Sequence, residues 1–486
     1  MAKTVRKKEF QLSDFQLTYE KIMQIAAFVL AVIHMTLVPF RYAVDYKLFQ
    51  PYERWFGFIL SMAAVIYLFI TKIQYSNSWF RVTFFLKKFS TYEQKYMVFL
   101  LLWFVISCMN RQSITGARYL HSHDWFIFDM AVNIMILLPM AKFLGIDKAK
   151  CACELIIHIV VGTYTVFTFW ALWNVFRLKV ITLPGGGQIG MNSKTKLFLG
   201  CHYNLTGAIA LTMLALCLYM IFTKHIILKI VYTIAAVSHL IVSMLSNSRT
   251  VFVAGLTMMI VAAFMYGWNR FADREQKMRI GISAGLAFLC GMVFWLIRPM
   301  TFALFEHITH FKELIGSNQV IADDVRELTN LNGRLKIWTA CLKVMFSSLN
   351  AFFFGVTPGG VTYAMIQYGG LTKEYAHAHN AILQVGVAFG VPAMIGFIGL
   401  YISIFLRSLQ ILFSQDETLF KHAYIVPVVV LCLVVMNLAE AYLVGYYSIM
   451  SSVFFLFCGW VIEMSEKPNI SVLKLWEDLK KRTISI

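Results

Sequence analysis

Three separated stretches carry residue types that could act together. EYAHAHNAILQVGVAFGVP, residues 374–392, sets His377, His379 and Asn380 at the doorstep of a long apolar run. Arg249 lies in SNSRTVFVAG, and Arg334 in NGRLKIWTACLKVMFSSL. Arginine grips phosphate through paired N–H groups. Histidine, neutral near pH 7, can take a proton from a hydroxyl. Two arginines and a histidine therefore suit a phosphate-bearing lipid donor and a hydroxyl acceptor.

The elements that must position these residues are membrane helices. Of 486 residues, 59% are hydrophobic and 14% charged, against roughly 25% charged in a soluble domain. Many apolar runs approach the ~20 residues that cross a bilayer. Continuous runs rather than ten-residue alternation select helices over a barrel. The expected fold class is all-α: a polytopic integral membrane protein with about 12 transmembrane helices and one large external loop. Spans are expected near 22–40, 55–71, 96–110, 125–144, 151–176, 197–223, 226–247, 250–268, 280–297, 380–406, 423–439 and 445–463. The first is too long for a signal-peptide core and lacks a small-residue cleavage site. The cysteines lie almost all inside apolar spans and read as small buried hydrophobes.

This reading divides the chain into a nine-helix region (1–297), an extracytoplasmic loop (298–379), three C-terminal spans (380–463) and a cytoplasmic tail (464–486). With both termini inside, the cytoplasmic segments hold 25 lysines and arginines and the outer ones 17. That bias fits the positive-inside rule. The net charge of +18 also leaves room for anionic lipids or an anionic substrate. Arg249, Arg334 and His379 then fall at one outer face.

Within the loop, Leu335, Trp338, Leu342 and Met345 repeat at helical spacing, and Asn332 is placed to cap that helix. Pro358, Gly359 and Gly360 read as a tight turn. LPGGGQIGMNSK, residues 183–194, lacks the GK[ST] ending of a phosphate loop and reads as a flexible connection. Each polar residue also has a bland reading. Arg249 alone could snorkel to headgroups. Arg334 alone could be a solvated charge on an amphipathic helix. His377 and His379 could join His307 and His310 in a metal site, but no spacing matches a zinc pattern, so no metal and no cofactor is expected.

SNSR, GRLKIW, the Pro-Gly-Gly turn and AHNAILQVGVAFGVPA, taken in order, resemble the O-antigen ligase and O-antigen polymerase superfamily. FLGCHYNLTGAIAL, residues 198–211, is similar to its H-x-N element. The resemblance covers roughly residues 195–400. It implies a GT-C-like, metal-independent, inverting membrane glycosyltransferase of the cytoplasmic membrane. Its donor would be an undecaprenyl-pyrophosphate-linked oligosaccharide, and its acceptor the hydroxyl of a glycan or lipid. By matching position, Arg249 and Arg334 would hold the pyrophosphate, and His379 would be the base or orient the acceptor. Asn204, His377, Asn380, Gly359 and Gly360 would support substrate binding. Membrane lipids and a chain-length regulator protein are candidate partners; nucleic acid is not. Polymerisation of surface polysaccharide repeat units is the preferred role.

Two other roles stay open. A ligase would pass the glycan to a lipid A core or another envelope acceptor. A transporter or flippase of lipid-linked sugars would line a mid-membrane path with polar groups; Asp129, Lys142, His158 and His239 are the residues placed for one. A scaffold would not need a basic outer face.

Overall fold

The computed structural model describes residues 92–109, 146–309 and 332–465, less 178, 185, 192–195, 224, 374, 376, 413–423 and 444–448, together with a few further positions between 29 and 137. Apart from those few positions, the spans expected at 22–40, 55–71 and 125–144 lie outside the described residues, as do Asp129, Lys142 and His310.

The chain is an all-α polytopic membrane protein. In order run α1 (Tyr92–Met109), α2 (Ile146–Phe176), strands β1 (Val180–Thr182), β2 (Gln188–Met191) and β3 (Leu197–Leu199), then α3 (Tyr203–Thr223), α4 (Ile226–Leu245), α5 (Arg249–Arg270) and α6 (Gln276–Thr309). After them come α7 (Asn332–Met345), α8 (Leu349–Phe354), a 3-10 turn (Pro358–Gly360), α9 (Val361–Gln367), α10 (Ala381–Phe389), α11 (Val391–Leu412), α12 (Ile425–Asn437) and α13 (Ile449–Met464). Among the described residues, six helices are long and apolar enough to cross a bilayer: α2 to α6 and α11. Helices α12 and α13 are apolar but shorter.

Helix α3 is central, with 78% of its apolar window buried, whereas α6 has 22% buried and turns most of its surface outward. Composition accounts for both. The GAIALTMLALC run of α3 mixes small and branched residues that fit between helices, while α6 exposes Phe288, Trp295 and Met300 to what is lipid in a membrane. Helices α2 and α4 are tied across their interface. His239 lies between Thr165 Oγ1 on Nε2 (3.1 Å) and Thr168 Oγ1 on Nδ1 (3.2 Å), and the Tyr232 hydroxyl bonds His158 Nδ1. His158 and His239 thus hold two helices together in a medium where water cannot satisfy them.

Three expectations are corrected. The Gly-rich stretch at 183–194 holds β2, the middle strand of a three-stranded antiparallel sheet whose β1 and β3 flank the stretch, with Ile189 opposite both Ile181 and Leu199. Ile189, Leu197 and Leu199 are buried against Leu172 and Val175 of α2, and that burial outweighs the flexibility its glycines suggest. Helix α6 does not stop at Ile297 but runs through Arg298 and Pro299 to Thr309. A proline is tolerated in a membrane helix when neighbours satisfy the freed carbonyl, and Arg298 finds a partner across the bundle (below). The run expected as one span from 380 breaks at Gly390, where φ is +89°. There the Trp103 indole N–H is shared by the carbonyls of Phe389 (3.0 Å) and Phe353 (3.2 Å), and Ser107 Oγ donates to Phe389 O. A Cβ at Gly390 would lie 2.2 Å from the Phe353 oxygen, so only glycine lets α8 and α10 meet so closely.

Candidate active site

Five element ends converge: the starts of α3, α5 and α10 and the ends of α4 and α12. Consecutive spans alternate direction, so these ends lie at one end of the bundle. Gly207 of α3 packs on the α4–α5 turn, where an added Cβ would come within 2.2 Å of Ser246 Oγ. That close approach holds the first turns of α3 against SNSR.

Local chemistry aims His379. Asn380 caps α10: its Oδ1 accepts from Leu383 N (3.0 Å) and its Nδ2 donates to Leu438 O (2.9 Å), just past α12. One side chain thereby starts α10 and docks it on the end of α12. Gln384 Oε1 accepts from Ala378 N (2.9 Å), and His377 Nδ1 accepts from His379 N (3.1 Å). Between these ties His379 takes φ +48°, a left-handed conformation costing about 1 kcal/mol or more in a non-glycine residue. The turn delivers its ring to a residue that the sequence reading did not single out, Glu440.

Glu440 is the hub. Its Oε2 bonds His379 Nδ1 at 2.9 Å, and its Oε1 accepts from Arg334 Nη2 at 2.8 Å. The same Nη2 donates to Thr250 Oγ1 at 2.7 Å, which joins α7 to the residue after Arg249. The loop that presents Glu440 is closed by Asn437, whose Oδ1 accepts from Leu443 N (2.9 Å). The structure thus brings Arg334, His379, His377 and Asn380 together, and Arg249 is the chain neighbour of Thr250, which bonds Arg334. Asn204 stands at the start of α3, where its backbone N–H meets His202 Nδ1 at 3.4 Å. Gly359 and Gly360 are not in the cluster. Their turn follows Val356 and Thr357, which donate to the carbonyls of Val387 and Ala388 at the far end of α10, about 12 Å of helix from its start.

The electrostatics leave two groups poised. An ionised carboxylate can only accept, so His379 carries a proton on Nδ1, and in the neutral ring Nε2 then presents a bare lone pair. Arg334 spends only Nη2 on protein; its Nη1 and Nε donate to no atom among the described residues. Burial pushes the Glu440 carboxyl up, but the hydrogen bond from His379, the charges that His379 and His377 carry when protonated in acid, and the charge of Arg334 outweigh it and hold the group below its usual range. Burial, then the neighbouring His379, lowers His377 to about 4, so His377 is neutral near pH 7. Burial and the Glu440 charge push the Tyr442 hydroxyl well up, which keeps it a donor. Trp338, one turn past Arg334 on the same helix, has an indole N–H with no acceptor among the described residues.

His377, His379 and Glu440 each offer a ligand atom, all within 4.8 Å of one another, the one such trio among the described residues. A cation there would have to displace the His379 bond to Glu440. His307 lies on α6 with an exposed side chain.

Residues 234–398 match the family model of the O-antigen ligases. The match spans the SNSR turn, α7 and the AHAHN turn, and it is consistent with the ligase and polymerase superfamily. It supports, in general terms, an O-antigen ligase or polymerase type of membrane glycosyltransferase. No curated protein matches the chain significantly. Glu440, outside the matched segment, was legible in principle. It is the only carboxylate between residues 423 and 462, and an acid amid apolar spans marks a functional site by its cost.

Proposed function

We propose that this protein transfers glycan from an undecaprenyl-pyrophosphate donor to a hydroxyl acceptor at the outer face of the cytoplasmic membrane, with both termini inside, and that it polymerises surface polysaccharide repeat units. The observation that carries the reading is the Arg334–Glu440–His379 array. A buried carboxylate there holds an anion-binding group on one oxygen and a base on the other.

In the reaction, His379 Nε2 takes the acceptor hydroxyl proton as its oxygen attacks the anomeric carbon. Glu440 stabilises the imidazolium that forms and fixes its tautomer. The bond from the anomeric carbon to the pyrophosphate oxygen breaks, and its electron pair leaves with the pyrophosphate. The anomeric carbon inverts. Charge building on the leaving group meets Arg334, which Glu440 and Thr250 hold in place before the reaction so that it needs no reorganisation, and Arg249 is the second cation assigned to it. Water is the competing acceptor, and the segment containing α7 to α9 is placed to exclude it. A chain-length regulator is the expected protein partner of a polymerase. The name of the matched family favours the ligase reading instead.

Purified protein incubated with a defined lipid-linked repeat unit distinguishes these. A ladder of products supports polymerisation. A single product that requires an added acceptor means ligation. Full activity in both Arg334→Ala and His379→Ala would overturn the assignment of the site.

A further inference from the structure

Arg298 is used by neither role above. It sits near the outer end of α6, among lipid-facing neighbours: Trp295 and Leu296 are each 49% exposed and Met300 67%. Its Nη2 donates to Asn247 Oδ1 at 2.6 Å, and its guanidinium lies over the Phe252 ring at 5.1 Å. No carboxylate pairs with it among the described residues, and a like charge, Arg249, acts on it. A cation at a bilayer edge with an amide, a ring and a second cation for company is costly unless an anion completes it.

The backbone is arranged to reach this guanidinium. Asn247 adopts φ +53°, a left-handed turn that points its amide across to α6. Three residues on, Thr250 holds Arg334. One short turn thus anchors two guanidiniums, at attachment points no more than about 10 Å apart. Arg298 is on the lipid side, and Arg334 on the side of His379.

We infer that Arg298, with Arg249, forms a phosphate seat at the lipid edge of the site. It takes the lipid-side phosphate of a prenyl diphosphate donor, while Arg334 takes the sugar-side phosphate. This rests on the glycosyl-transfer reading and adds the donor's orientation to it. The prenyl chain runs down the exposed face of α6, and the glycan points toward His379.

The test uses full-length protein in phosphatidylcholine nanodiscs, titrated calorimetrically with farnesyl diphosphate and farnesyl monophosphate. The monophosphate has only the lipid-side phosphate. Arg298→Gln, which keeps a donor for Asn247, is expected to weaken both ligands about tenfold, or ~1.4 kcal/mol. Arg334→Gln is expected to weaken the diphosphate by as much and the monophosphate little. Arg298→Lys, expected to lie between wild type and Arg298→Gln, carries the comparison if Arg298→Gln does not fold. Unchanged affinities in the Arg298 variants, or equal dependence of the monophosphate on Arg298 and Arg334, would overturn the inference. Phosphatidylglycerol in the nanodisc separates the two sources of lipid phosphate. If it abolishes the Arg298-dependent binding, the seat belongs to headgroups and the donor assignment fails. Failure of the glycosyl-transfer reading looks different: wild-type protein makes no product while the Arg298 dependence of farnesyl monophosphate persists.

Discussion

Among the described residues the bundle contains two buried glutamate–arginine pairs, one near each end. Glu93 of α1 and Arg407 of α11 meet at 2.6 Å, and both side chains are 1% exposed. Ser403 donates to Glu93, and Arg407 to Ser465 just past α13. Glu440 and Arg334 meet at 2.8 Å, with Glu440 again at 1% but Arg334 at 24% and His379 at 23%. Both pairs have a sealed carboxylate. Only the second has partners that reach solvent and keep unused polar atoms there. The first therefore reads as a clamp between α1 and α11, and the second as a site. Burial of a charge alone does not separate these roles; the accessibility of its partners does.

Breaking each pair should give opposite signatures. At the open pair, His379→Ala or Arg334→Ala should lower turnover per folded molecule by about 10²–10⁴-fold, the range for a lost base or a lost charge stabiliser, with a smaller fall in thermal midpoint than at the sealed pair, because Glu440 keeps its other partner. Glu440→Gln keeps the shape of the carboxylate but can donate to His379 and favour the wrong tautomer. A loss of about 10²-fold or more in turnover is expected, and an unchanged rate would remove Glu440 from the mechanism. At the sealed pair, Glu93→Gln should leave Arg407 buried without its counter-charge and cost about 3–5 kcal/mol of stability. Turnover per folded molecule should hold. The double variant Glu93→Leu, Arg407→Met should recover much of that stability; if it does not, the pair is more than a clamp.

Smaller effects sharpen the contrast. His377 is held neutral to about pH 4 in the folded protein but titrates near 6.5 when unfolded. Between those values the unfolded chain binds more protons, so stability is complete above about pH 6.5 and falls as the pH drops toward 4. Glu440, lowered in the fold, adds to the loss further into acid. Thermal midpoints across that range should fall for wild type and change less for His377→Gln. Asn380→Ala should cost about 1 kcal/mol through the lost cap and lower turnover as well, because it frees α10 from Leu438.

Much of the candidate site was legible from the sequence. Arg249, Arg334 and His379 stand out because charges at bilayer edges are expensive, and alternating spans assign them to one face. Their mutual geometry was not legible, because residues 249, 334, 379 and 440 have no shared periodicity. Glu440 sat in what read as a gap between two spans. Arg298 read as the first residue of a loop, because a charge followed by proline usually ends a helix.

The sequence by itself determined that this chain lives in a membrane as helices, since backbone groups in lipid must be satisfied within their own segment. It also determined which cations are too costly to be idle. Tertiary structure alone decided which carboxylate joins them, which nitrogen of His379 stays bare and where α10 breaks from α11. Those outcomes depend on close contacts between element ends: Asn380 on Leu438, Gly207 on Ser246, and Trp103 on the carbonyls at Gly390. Such contacts are set by packing between segments far apart in the chain, which apolar length and charge do not encode.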